Sequence, residues 1–135
     1  MLGMNALGQN GRLGNQMFQF ASLVGIAKNR GYEKWICNTE EYCGKLLHII
    51  KGKKCSWHYH TLKDETFYLQ EGKLLVRYSE KDNLDEAKEL IMERGDKFHV
   101  YRGLRHQMFA IEDSDLFEFS TQHFDSDSNR IIHGD

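Results

Sequence analysis

Residues 52–72 read GKKCSWHYHTLKDETFYLQEG, and the organisation of the chain can be worked out from this stretch. His58 and His60 flank Tyr59. Along an extended strand alternate side chains share a face, so both imidazoles point one way while Cys55, Trp57 and Tyr59 point the other. Four residues separate His60 from Glu65, which opens a β-prone run, Thr66–Gln70. Further on, GDKFHVYRGLRH (95–106) ends in His106. Three imidazoles and one carboxylate, with no thiolate, suit a single divalent transition ion such as Mn, Fe, Co, Ni or Zn. Four protein ligands leave one or two positions of an octahedral ion open to substrate. His48, His99, His123 and His133 read as hydrogen-bonded structural or surface histidines.

Outward from this segment come other short runs rich in Leu, Ile, Val, Phe and Tyr: Lys45–Ile50, Lys73–Tyr78, Phe98–Tyr101 and Leu116–Ser120. Gly52, Gly72, Gly95 and Gly103 punctuate them at the intervals of an antiparallel sandwich or barrel. The segment LDEAKELIMER (84–94) fits either a short helix or an amphipathic strand. DSDSNRIIHGD (125–135) is polar enough for a loop followed by a frayed end. Toward the N-terminus, Leu13, Met17, Phe20, Val24 and Ala27 recur at three- and four-residue spacing, which predicts an amphipathic helix stopped by Gly31. The boundary between a helical extension (1–31) and an all-β body (32–135) therefore falls near Gly31–Asn38.

The chain has 135 residues and a formal net charge of -2, enough for one domain with one core. With 40% hydrophobic and 28% charged residues it matches neither a disordered nor a fibrous protein. The near-neutral balance, with no basic cluster beyond Lys51–Lys54, argues against a nucleic-acid partner. No run approaches the roughly 18–20 apolar residues of a membrane helix, and the basic-apolar-small order of a signal peptide is missing, so a cytoplasmic location is expected. Cys37, Cys43 and Cys55 are odd in number and form no CxxC pair, which reads as reduced thiols. Pro is absent where average usage predicts about seven, so turns rest on the 12 Gly and on Asn/Asp.

Gly52, His58, His60, Glu65 and Gly72 reproduce G-x5-HxH-x4-E-x6-G, and Gly95, Gly103 and His106 reproduce most of G-x5-PxG-xx-H-xxx-N. These are the two signature motifs of the cupin superfamily, which the chain resembles over roughly residues 32–135. It departs from them at Tyr101, where the motif has Pro, and at Ala110, where it often has Asn. Neither position is a ligand, and Gly103 alone must set the turn before His106. The resemblance implies a double-stranded β-helix, an all-β jelly-roll barrel here preceded by the α-helical extension. It also implies a metal held by His58, His60, Glu65 and His106. Within cupins, residues 41–76 and 113–131 look most like the isomerase domain of mannose-6-phosphate isomerases and of the bifunctional sugar-nucleotide enzymes. By that likeness Glu118 matches a strand carboxylate, and Asp127 and Arg130 match an acidic loop followed by Arg. A separate stretch, GRLGNQMFQFASLVGIAKNRGY (11–32), resembles the opening loop and first helix of α-1,2-fucosyltransferases. Nothing after Tyr32 continues it, so fucosyl transfer is not expected.

The function these resemblances imply is metal-dependent isomerisation of a sugar or sugar phosphate through an enediol. A Lewis acid polarises a carbonyl while a base removes the neighbouring C–H proton. Glu118, Tyr78 and His99 are the candidate bases, with Glu118 favoured by the likeness. Arg105 and Arg130 are candidates for bidentate phosphate binding. Two alternatives stay open on the same ligands: an Fe-dependent dioxygenase, and a barrel that binds a sugar or metabolite without catalysis. The outward set Trp57, Tyr59 and Tyr68 predicts an exposed apolar patch and a homodimer.

Overall fold

The computed structural model describes residues 31–135, so the expected helical extension lies outside the described residues. Ten strands follow one another among them: β1 Gly31–Asn38, β2 Cys43–Ile49, β3 Trp57–Tyr59, β4 Glu65–Glu71, β5 Lys73–Ser79, β6 Lys88–Glu93, β7 Lys97–Val100, β8 Arg105–Ala110, β9 Ser114–Ser120 and β10 Asn129–Ile132. They form two five-stranded antiparallel sheets, ordered β1-β2-β9-β4-β7 and β10-β3-β8-β5-β6. Strands distant in sequence lie side by side, β2 with β9 and β3 with β8. The all-β jelly-roll expectation holds.

Alternation within each strand decides what the barrel encloses. In β4 the buried residues are Glu65, Phe67 and Leu69, while Tyr68 and Gln70 are exposed. The same parity buries His106, Met108 and Ala110 in β8, Leu116 and Glu118 in β9, and Lys45 and Ile49 in β2. Each inward row is thus apolar at one end and polar at the other. The apolar ends, including Phe67, Leu69, Leu74, Val76, Met92 and Leu116, pack into one dry core. Burying each such side chain contributes about 1.5–3 kcal/mol, and this holds the two sheets together. Lys45, Glu65, His106 and Glu118 line a shared cavity at the polar end. The tight β4–β5 turn shows why one motif position is glycine. Gly72 has φ +101°, and a Cβ there would lie 2.3 Å from Ser114 Oγ and 2.4 Å from Asp113 O.

Several expectations need correction. Gly31–Asn38, near which the boundary is expected, forms β1, paired with β2 apart from one irregularity, and the residues before it lie outside the described ones. The ambiguous 84–94 segment is one 3-10 turn, Leu84–Glu86, followed by strand β6. Residues 125–135 are not a loop with a frayed end. They form a 3-10 turn at Asp125–Asp127, then β10 against β3, and Asp135 N donates to Lys54 O at 3.0 Å. Trp57 is fully buried rather than exposed, and its Nε1 donates to Asp82 O at 2.7 Å. The β5–β6 connection covers the outer face that strand alternation alone leaves bare. No helix among the described residues is long and apolar enough to cross a membrane.

Candidate metal centre

β3 supplies His58 and delivers His60 just beyond its end, and β8 supplies His106 directly opposite His58. The potential ligand atoms of the three imidazoles all lie within 4.8 Å of one another. Each ring is fixed through Nδ1 by a backbone carbonyl. His58 Nδ1 is 3.0 Å from Ser56 O, His60 Nδ1 is 3.0 Å from Asp127 O, and His106 Nδ1 is 3.1 Å from Leu104 O. A carbonyl only accepts, so each Nδ1 carries a hydrogen, and it is Nε2 of each ring that is left free to face the cluster. This is the outer-shell arrangement that orients histidine ligands toward a metal.

Glu65 enters from β4. Its Oε2 lies 3.3 Å from His60 Nε2 and 3.2 Å from His106 Nε2, and its Oε1 lies 3.1 Å from Lys63 Nζ. Despite these approaches, neither oxygen has an aligned hydrogen bond. Buried lone pairs and a carboxylate crowded together in this way repel unless a proton or cation sits among them. The donor set and the orphaned carboxylate therefore fit a divalent transition ion. Burial, with His106 and His60 beside it, pushes the His58 imidazole down to about 3, so it is a neutral ligand across the physiological range. Burial alone would raise Glu65, but His106, His60 and Lys63 outweigh it and hold the carboxyl well below its usual range. Cys55 also lines the cavity, but burial pushes its thiol up to about 12, so it offers no thiolate.

The facing wall carries charged groups that pair with each other. Lys63 Nζ bridges Glu65 and Glu118, 2.8 Å from Glu118 Oε2. Lys45 Nζ lies 2.8 Å from Glu33 Oε1 and 3.9 Å from the centroid of the Trp35 ring. Both ammonium groups also approach His123 Nδ1, at 3.2 Å from Lys45 and 3.4 Å from Lys63. Burial raises the Glu118 carboxyl, as does the charge of Glu65, against the opposing pull of Lys63 and Lys45. Asp127 organises the loop between the walls. Its Oδ1 accepts from the Thr61 amide and hydroxyl and from the Leu62 amide, and its Oδ2 accepts from the Lys63 amide at 3.0 Å.

Of the residues expected to act, Glu118 lines the cavity of about 660 Å³ together with His58, His60, Glu65 and His106. Arg130 lines it too, paired in register with His58 across β10 and β3. Arg105 does not. It follows the opposite parity to His106, and its guanidinium is tied to Asp82 at 2.8 Å and Gly103 O at 2.8 Å and stacked over Tyr59. Tyr78 packs against Phe98, and exposed His99 contacts Asp64 at 2.9 Å; neither lines the cavity. The sequence reading missed Lys45, Lys63 and the role of His123. Lys45 was detectable, because it shares the inward parity of Ile49 in β2. Lys63 and His123 sit in connections, where alternation gives no signal.

Comparison with known proteins agrees with this geometry. Among curated proteins no sequence matches the chain. Several solved structures share the fold. The capsular polysaccharide assembling protein CapF from Staphylococcus aureus aligns with TM-score 0.68 at 19% identity, over 77% of this chain and 30% of that one. KdgF from Halomonas sp. aligns with TM-score 0.63 at 19% identity, over 73% of this chain and 84% of that one. Oxalate decarboxylase from Bacillus subtilis, which has Mn(II) centres, aligns with TM-score 0.67 at 15% identity, over 76% of this chain and 28% of that one. The chain spans about a third or less of the length of CapF and of oxalate decarboxylase, and identities this low establish shared fold alone. The Cupin domain family model matches residues 45–119, which span both motifs and include His58, His60, Glu65, His106 and Glu118. The chain belongs to the cupin domain family.

Proposed function

We propose that the protein is a metal-dependent enzyme that isomerises a sugar or sugar phosphate. One observation carries this reading: a base and a ligand cluster share one cavity. The Glu118 carboxylate stands beside Glu65, linked to it by Lys63, while His60 and His106 bring Nε2 to Glu65 from the other side and His58 clusters with them. His58, His60, His106 and Glu65 would hold the ion, which supplies Lewis acidity at a substrate oxygen. Glu118 accepts the proton from the carbon next to the carbonyl and returns it to the neighbouring carbon. Burial and the neighbouring Glu65 charge push the Glu118 carboxyl up, which makes its carboxylate a stronger base. Lys63 keeps Glu118 directed into the cavity, and Arg130 at the rim meets an anionic substituent. The fold shared with a capsular polysaccharide assembling protein supports a carbohydrate context.

Two measurements test this. Elemental analysis of wild type should find near-stoichiometric transition metal that His106→Ala abolishes. Incubation with mannose 6-phosphate and other aldose phosphates in D2O should then place deuterium at C2. Glu118→Gln should stop the exchange at unchanged metal content. Metal without exchange, together with saturable sugar binding, would replace the isomerase with a binding protein. Iron with substrate-dependent oxygen uptake would replace it with an oxygenase.

The same reading includes a homodimer. Of the three outward aromatics only Tyr68 is exposed, but Ile36 and Phe119 join it on the outer face of the first sheet. Light scattering should return twice 15.8 kDa; a monomer mass would remove this part of the proposal.

A further inference from the structure

The rim of the cavity carries a second set of charged groups. Lys53, Lys54, Arg130 and Asp135 all line the cavity, three cations against one carboxylate. The segment after β10 runs flat along residues 54–56. A Cβ on Gly134 would lie 2.6 Å from Ser56 N and 2.7 Å from Cys55 C, so only glycine lets the chain pass so close. This contact delivers Asp135 to Lys54. Asp135 Oδ2 accepts from the Lys54 amide at 3.0 Å, Oδ1 lies 3.4 Å from Lys54 Nζ, and Asp135 N donates to Lys54 O at 3.0 Å. A carboxylate that receives an amide and an ammonium from one residue is bound as a phosphate or carboxylate ligand would be.

Arg130 completes the arrangement. It is paired with His58, and directly opposed residues of an antiparallel pair project to the same side, so its guanidinium shares the face that carries the imidazole cluster. It forms no hydrogen bond or ion pair among the described residues, whereas Arg77, Arg102 and Arg105 are each committed to protein acceptors.

We propose that Lys54 and Arg130, with Lys53, form a subsite for the phosphate of the substrate, and that the Asp135 carboxylate occupies this subsite until the phosphate displaces it. The inference deepens the sugar-phosphate reading and rests on it for the identity of the substrate. The anion subsite itself can be tested with inorganic phosphate alone. Asp135 then acts as a tethered competitor that keeps the rim occupied and biases the cavity toward ligands with a strong anion.

The test is a phosphate titration of full-length protein followed by 1H–15N NMR, at constant ionic strength against chloride. Metal content is measured separately on each sample. Wild type should show saturable shifts of the Lys53, Lys54 and Asp135 amides. Asp135→Asn keeps side-chain size and an oxygen acceptor for the Lys54 amide, and should bind phosphate about fivefold more tightly, the scale of removing one partly exposed charge pair. Arg130→Gln, or Lys54→Met in the Asp135→Asn background, should lose that binding while the remaining spectrum stays dispersed. Equal phosphate affinity in wild type and Asp135→Asn, or shifts that chloride reproduces, would overturn the subsite. Because no step of this assay needs metal, an empty imidazole cluster would refute the isomerase without touching this result, and the reverse also holds.

Discussion

The two walls of the cavity are built by different means. One wall holds the three imidazoles, each locked by a backbone carbonyl within two residues or, for His60, across the loop at Asp127. The other holds full charges, Lys45, Lys63, Glu33 and Glu118, which neutralise one another in pairs. The imidazole wall has lone pairs to offer and needs a cation. The charged wall is closer to satisfied by itself, so its groups can keep fixed positions while a substrate binds. Glu65 belongs to both, touching two imidazoles and one ammonium.

The comparison breaks most severely at Lys63. Lys63→Met leaves Glu65 and Glu118 buried with one counter-charge fewer, and should lower the unfolding free energy of metal-free protein by about 3–5 kcal/mol in urea titrations. A loss under about 1 kcal/mol would mean that a proton shared by the two carboxylates replaces the ammonium. Next comes the strap between the walls. Asp127→Ala releases the amides of Thr61, Leu62 and Lys63, and with them the loop that follows His60. Metal affinity should fall about 10–100-fold by calorimetric titration, the range for losing outer-shell support.

A pH series addresses the imidazole wall alone. His58 is held at about 3 in the folded protein against 6.5 for a free imidazole. The unfolded chain therefore binds the extra proton first, so stability is full above about 6.5 and declines as pH falls toward 3. His58 by itself contributes a slope of about 1.4 kcal/mol per pH unit through that window. In metal-free protein His58→Gln should flatten this slope; an unchanged slope would assign the acid sensitivity to the charged wall. The smallest effect belongs outside the cavity. Arg105→Ala breaks an ion pair with Asp82, whose side chain is 66% exposed, and should shift stability by no more than about 1 kcal/mol with metal content unchanged.

How much was legible follows the same division. The imidazole wall could be read because strand alternation and motif spacing are local: HxH puts two rings on one face whatever the rest of the chain does. Arg105 stands outside the cavity because a residue adjacent to a ligand in a strand faces away from it, and parity alone separates it from Arg130. Trp57 was placed on the correct face but wrongly exposed, because the covering residue, Asp82, is 25 positions away. Polarity alone makes residues 125–135 read as loop. Their order comes from backbone pairing with β3 and Lys54, which polarity does not report.

Sequence by itself therefore determined the all-β class, the positions that break strands, and three imidazoles with a carboxylate at usable spacing. The class, the breaks and the HxH pair depend on interactions within a few residues, while His106 is marked only by its motif and joins them through the pairing of β3 with β8. Tertiary structure decided which charges became partners, that Lys63 stands between two carboxylates, and that Asp135 reaches the cavity rim. Those contacts join residues 2 to 81 positions apart, most of them distant, and only the closing of two sheets around one interior brings them within hydrogen-bonding range.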